Sequence, residues 1–160
     1  MHDIPGELTT DPERLFEGAG PLIARLRREA PFASDAAMLR RAREIVADLP
    51  EADQIAVINA HPRIGERPER VRAQSAQSFE EQGYDRDHTP PEVFLRLARL
   101  NEAYEQKFGF RFVVFVNRRS KEALVPLLEA RLRGRRDEER LTALQEILAI
   151  AEDRCSRSSS

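Results

Sequence analysis

The sequence predicts an all-α protein: a single compact multi-helix domain of about seven to eight helices with one extended apolar connection. Three observations carry that prediction. Apolar residues recur at helical spacing through most of the chain. Capping side chains, prolines and glycines punctuate those stretches at helix-length intervals. Only one run, Phe112 to Val116, has the composition of a strand. At 160 residues the chain is long enough to bury roughly 70% of the surface its unfolded form exposes.

Thr10-Asp11-Pro12-Glu13 opens the first helix, with a capping side chain followed by proline in the first turn. Gly18 and Gly20 break it, and Pro21 opens a second with Leu22, Ile23 and Leu26 inward. Ser34-Asp35 caps a third, whose Met38, Leu39, Ala42, Ile45, Val46 and Leu49 keep amphipathic spacing up to Pro50. A fourth spans Ala52 to His61 with Ile55 and Ile58 inward. Residues 63–72 read as a polar loop, and Ala73 to Gln82 as a short helix ended by Gly83. After a second loop, Thr89-Pro90-Pro91-Glu92 starts a long helix carrying Val93, Leu97, Leu100 and Tyr104, closed by Phe108-Gly109-Phe110.

Phe112 to Val116 has no second strand to pair with, so it reads as an extended buried connection whose backbone groups need other partners. Ser120 caps a helix from Lys121 to Arg133, with Pro126 expected to bend it or cost it one hydrogen bond. Beyond Gly134 a last helix begins near Asp137, with Leu141, Leu144, Ile147, Leu148 and Ala151 inward. Residues 1–155 form the expected domain, and 156–160 a disordered tail.

Charged residues make up 34% of the chain and hydrophobic ones 41%, a globular composition. The 26 basic and 28 acidic residues nearly cancel, which argues against a nucleic-acid partner. The arginines in Arg25 to Arg28 and Arg131 to Arg136 have acidic residues interleaved or close behind, and read as solvated faces. A single cysteine, Cys155, fits a reducing compartment. No secretory signal is visible at the amino terminus and no apolar run approaches a membrane span, so a cytoplasmic location is expected.

Chemistry concentrates in two stretches. In Asn59-Ala60-His61-Pro62-Arg63-Ile64-Gly65 a histidine sits where Pro62 must end a helix, and Gly65 allows close backbone approach. In Ser78-Phe79-Glu80-Glu81-Gln82 the hydroxyl, one carboxylate and the amide share a helical face at i, i+3 and i+4. Together they supply a group titrating near neutral pH and groups able to orient a small polar ligand. Arg154 extends the apolar stripe of the last helix. An arginine there either snorkels to solvent or needs an anionic or carbonyl partner. No metal is expected, because His61, Glu66, Glu80, Glu81, Asp87 and His88 show no ligand spacing. Neither a phosphate loop nor a nucleophile elbow is present.

Several of these stretches stand in a familiar order. Pro31-Phe32, Ala60-His61-Pro62-Arg63-Ile64-Gly65 and Ser78-x-x-Glu81-Gln82 are followed by Leu100-Asn101-x-x-Tyr104-x-x-Lys107-Phe108-Gly109-Phe110, then Arg131-Leu132 and Ile150-Ala151-x-x-Arg154. In these the chain resembles the bacterial form of the 2-oxo-4-hydroxy-4-carboxy-5-ureidoimidazoline (OHCU) decarboxylases of urate degradation, over roughly Leu15 to Arg154. The resemblance implies an all-helical, cofactor-free carboxy-lyase that makes (S)-allantoin, its partners being the small-molecule substrate OHCU and a second copy in a homodimer. It makes His61, with Glu81 and Arg154, the catalytic set. Pro62, Ser78, Glu81 and Gln82 match substrate-binding residues, and the backbone of Val113, Val114, Phe115, Val116 and Asn117 corresponds to a further binding segment. The chain departs from the family where Gly83-Tyr84-Asp85 follows Glu81-Gln82, where Arg111 replaces a common proline, and where Cys155 replaces leucine. Two rival readings are a metal-assisted hydrolase of a cyclic amide and a non-catalytic helical module using the Arg131 to Arg136 face.

Overall fold

The computed structural model describes residues 9–158. The amino-terminal residues 1–8, where no secretory signal is expected, and the last two residues of the expected tail lie outside them. Among the described residues there are nine helices and no strand. In chain order they are α1 (Pro12–Leu15), α2 (Gly20–Glu29), α3 (Asp35–Asp48), α4 (Glu51–Asn59), α5 (Pro68–Gln74), α6 (Ala76–Glu81), α7 (Pro91–Phe108), α8 (Lys121–Leu132) and α9 (Arg136–Ser158). The described chain falls into two compact units. One runs to Ala60 and resumes at Leu144; the other is His61–Ala143.

In the first unit the expected caps form. Asp11 accepts from the Glu13 N–H at 3.0 Å, and Ser34 Oγ from the Ala37 N–H at 3.1 Å. Helix α2 packs on α1, α3 and α4. Phe16, Leu22, Leu26, Met38, Ile45 and Ile58 lie in its core. In α4 the buried positions are Gln54, Val57 and Ile58, whereas Ile55 is only half-buried. Gln54 is tolerated inside because its amide donates to the Val46 carbonyl at 2.8 Å.

The second unit holds α5 to α8 and the start of α9. Helix α7 packs along α8, and α5 along α6. An aromatic cluster fills the interior, with the Tyr104 ring 4.6 Å from Phe108, 5.5 Å from Phe112 and 6.1 Å from Phe110, measured between centroids. Gly109 ends α7 in the left-handed conformation, at φ 83°. The run after it is extended and mostly buried, as the sequence predicts. Pro126 lies inside α8, which continues through it.

Four boundaries differ from the sequence prediction. Helix α4 stops at Asn59, not His61, because Pro62 disfavours helical backbone before it; Ala60 becomes the cap. The predicted loop over 63–72 contains the start of α5, where Pro68 takes the first helical turn and Glu69 follows. The helix expected from Ala73 to Gln82 is broken at Ser75, whose extended backbone lets its Oγ cap α6 by accepting from the Ser78 N–H at 2.9 Å. That break accounts for the ninth helix. Ser156 to Ser158, predicted as the start of a tail, continue α9, where Arg157 pairs with Asp153 at 3.0 Å one turn back. Leu141 is also not inward: it is 51% exposed.

Candidate active site

His61 stands in a loop, 61–66, that has little regular backbone pairing of its own; Glu66 N–H to Arg63 O, at 3.4 Å, is its one backbone turn. Four of its carbonyls instead accept from four side chains of the same unit. Arg111 Nη1 donates to the His61 carbonyl at 2.9 Å, and Gln82 Nε2 to that of Arg63 at 3.2 Å. Asn101 Nδ2 donates to Ile64 at 2.8 Å, and the Tyr84 hydroxyl to Glu66. Burial, then the Glu66 and Glu69 charges, pushes the Tyr84 phenol well above its ordinary range, so it stays protonated and can donate. His61 and Pro62 are themselves buried.

Gly65 is required twice in this loop. Its φ is +76°, and a Cβ there would stand 2.7 Å from the Leu97 side chain on α7. Arg63 turns outward into a two-pronged pair with Glu105, at 2.7 and 3.0 Å, which raises its guanidinium pKa. A cavity of about 270 Å³ adjoins this pair and is lined by Arg63, Gly65, Asn101 and Glu105 among others. No side chain singled out in the sequence as a site residue lines it.

The structure joins the second motif directly to this loop. At the end of α6, Ser78 and Gln82 are buried, Glu81 is half-buried and Glu80 is exposed. The Gln82 amide closes a bracket: besides donating to Arg63 it accepts from the Gly65 N–H at 3.0 Å. Gln82 is therefore in part a brace for the His61 loop, with one amide hydrogen left for other use. Its own carbonyl accepts from Lys121 Nζ at 2.6 Å.

The extended connection is held by its carbonyls. Val113 O accepts from Arg131 Nη1 at 2.8 Å, and Arg119 donates to both Phe115 O and Val116 O. Arg131 is fixed in turn by Glu139 at 2.7 Å, and the same carboxylate oxygen accepts from the Tyr104 hydroxyl at 2.7 Å. Arg131 also lies over the Phe112 ring. The Arg131 to Arg136 run is a solvated face only in part: Arg133 and Arg135 are exposed as predicted, whereas Arg131 is largely buried and Arg136 reaches the Phe108 carbonyl. The extended connection ends in a tight turn in which Asn117 and Arg118 both have positive φ, 49° and 65°.

Arg154 belongs to the first unit. It is 2% exposed and donates to the Leu15 carbonyl at 3.2 Å, with Glu17 at 3.5 Å. Of the two readings open from its place on the stripe, the structure takes the inward one, and with both kinds of partner. Among the described residues no three His, Cys, Asp or Glu side chains group to hold a metal.

Asn101 and Tyr104 stand inside the matched motifs, but periodicity assigns Tyr104 only to the core stripe of α7 and gives Asn101 no role. Arg111 and Lys121 leave no local signal, since each acts on a carbonyl far along the chain.

Comparison with known proteins agrees with this architecture. A family model described as OHCU decarboxylase matches residues 7–156. A 2-oxo-4-hydroxy-4-carboxy-5-ureidoimidazoline decarboxylase from Halalkalicoccus jeotgali is 33% identical over 88% of this chain and 82% of its own length. One from Haloferax volcanii is 30% identical over 86% of this chain and 80% of its own. The fold is shared with a crystal structure of OHCU decarboxylase in the presence of (S)-allantoin, at a TM-score of 0.74 and 24% identity over 92% of this chain and 96% of that one. With a family model matched over nearly its whole length and relatives at 30% and 33% identity, this chain belongs to the OHCU decarboxylase family.

Proposed function

We propose that this protein is a cofactor-free carboxy-lyase converting OHCU to (S)-allantoin in urate degradation, with His61 as its acid–base group. The observation that carries the reading is the bracket from Gln82 to Arg63 and Gly65, which fixes the loop after His61 to the end of α6 beside Glu81. Proton transfer to one face of a small ring needs a donor whose position does not drift.

The chemistry suits these residue types. Breaking the carbon–carboxylate bond beside an imine or carbonyl leaves an electron pair that the substrate ring delocalises, so no further electron sink is needed. His61 then handles the proton at the carbon that lost CO2. Glu81, acceptor-only when ionised, holds ureido or ring N–H groups. Ser78 and the remaining Gln82 amide hydrogen bind substrate oxygens, and Pro62 shapes the wall beside them. The backbone of Val113, Val114, Phe115, Val116 and Asn117 supplies further binding groups, the Val113, Phe115 and Val116 carbonyls already accepting from arginines. The working form is a homodimer in the cytoplasm; among the described residues no helix is long and apolar enough to cross a membrane.

The test is to supply freshly generated OHCU and follow optically active allantoin by circular dichroism, with and without a chelator. Stereospecific product at an unchanged rate in chelator supports the reading. Product no faster or more enantiopure than the spontaneous reaction overturns it, and loss of rate on chelation would overturn the cofactor-free reading. Within the same assay, Glu81→Ala is expected to lower kcat/KM by roughly 10- to 100-fold through lost hydrogen bonds to the substrate. An unchanged kcat/KM would remove Glu81 from the site.

A further inference from the structure

Lys121 is the second unit's most buried cation. It opens α8 directly after the Ser120 cap and is 1% exposed, a rare position for a lysine. Its Nζ lies 3.9 Å from the centroid of the Tyr84 ring and 5.9 Å from that of Phe94. Phe79, Tyr84 and Phe94 form a continuous stack, with centroids 5.2 and 6.2 Å apart. Burial lowers the ammonium pKa, partly offset by Asp87 and Asp85 and reinforced by Arg86. An apolar side chain of similar length would fill this space without that desolvation cost, losing only the contact with the Tyr84 ring face.

The one hydrogen bond that Lys121 donates goes to the main-chain carbonyl of Gln82. Gln82 is the carboxy-terminal cap of α6, so this carbonyl is one that the helix leaves without an internal partner. A cation is well placed at that end of a helix. With only six residues, α6 has little stability of its own. The same residue, through its side chain, grips Arg63 and Gly65 in the His61 loop. A single chain of contacts thus runs from Lys121 through Gln82 to the loop.

We propose that Lys121 is a positioning residue for the reaction: by holding the Gln82 carbonyl it sets the end of α6, and through the Gln82 amide it sets the loop that presents His61. The role in catalysis rests on the proposed function; the mechanical link does not.

Two readouts keep these apart. In Lys121→Met the thioether chain fills the space among the rings without donating a hydrogen bond. Exchange of the Gly65 amide, whose N–H is held by Gln82, is expected to quicken about tenfold in this variant, while amides in the middle of α7 keep wild-type exchange. On OHCU, kcat/KM is expected to fall about tenfold, mainly in kcat. In a Gln82→Ala background, where the bracket is already gone, the same change should alter kcat/KM by less than about threefold. Equal fold-losses in the two backgrounds would overturn the link through Gln82, as would wild-type exchange at Gly65. If Lys121→Met does not fold, Lys121→Leu, which likewise has no donor for the Gln82 carbonyl, carries the same measurements, with the same directions expected and the same results overturning the proposal. An inactive wild-type protein with quickened Gly65 exchange in the variant would refute the proposed function and leave the mechanical link standing.

Discussion

Replacing His61 with asparagine is expected to cost at least 10²- to 10⁴-fold in stereospecific allantoin formation, the usual contribution of a positioned proton-transfer group. The protein should stay folded. What shapes the loop acts on main-chain carbonyls, and Arg111 reaches the His61 carbonyl whatever side chain residue 61 carries. Pro62 and Gly65 likewise set their backbone angles independently of the imidazole. The measurement is the rate of optically active product, with the far-UV spectrum recorded on the same sample. Full activity with a native helical spectrum would exclude His61 as the acid–base group. Lost activity with lost helix would instead make it a structural residue.

The second large effect is on stability. Glu139→Ala is expected to destabilise the protein by about 3–5 kcal/mol, because it leaves a largely buried arginine without its carboxylate. One carboxylate oxygen carries both the Arg131 pair and the Tyr104 hydroxyl bond, so both partners are lost at once. At this chain length the melting temperature should fall by on the order of 10 °C. Gly134 makes room for the arrangement: a Cβ there would stand 2.9 Å from Glu139 Oε2. Glu139→Gln, which keeps the hydrogen-bonding oxygen and loses the charge, should lie between the wild type and the alanine variant. A melting temperature within 2 °C of wild type for Glu139→Ala, roughly the effect of 1 kcal/mol or less, would show that Arg131 and Tyr104 find other partners at little cost. Thermal unfolding followed at 222 nm decides between these outcomes.

What the sequence makes legible is what local chemistry determines. The caps at Asp11, Ser34 and Ser120 appear as predicted, because a short polar side chain before a helix has few better uses. The extended run after Gly109 is also where expected. Residues 63–82 are harder to read: there Ser75 serves as a cap that interrupts one apparent helix, and Pro68 starts another inside an apparently polar loop. Periodicity cannot show either over so few residues. The braces of the candidate site are hidden for a different reason. Asn101 acts on a carbonyl 37 residues away, Lys121 on one 39 away and Arg111 on one 50 away. No window along the chain contains both members of any such pair. Arg154 is intermediate: its place on a buried stripe marks it as unusual, but only the fold shows that Leu15 and Glu17 receive it.

The four-carbonyl support of the 61–66 loop bears on how other sequences are interpreted. A chain carrying His-Pro-Arg-Ile-Gly in another setting would have the letters of this motif without its shape, since the shape is imposed from α6, from α7, from the turn after α6 and from the start of the extended run. Conversely, a relative that loses the tyrosine could keep the loop if another donor reached the same carbonyl. The heritable unit is therefore a pattern of donors around a backbone path, and substitutions that look unrelated in an alignment can be exchanges within that one pattern.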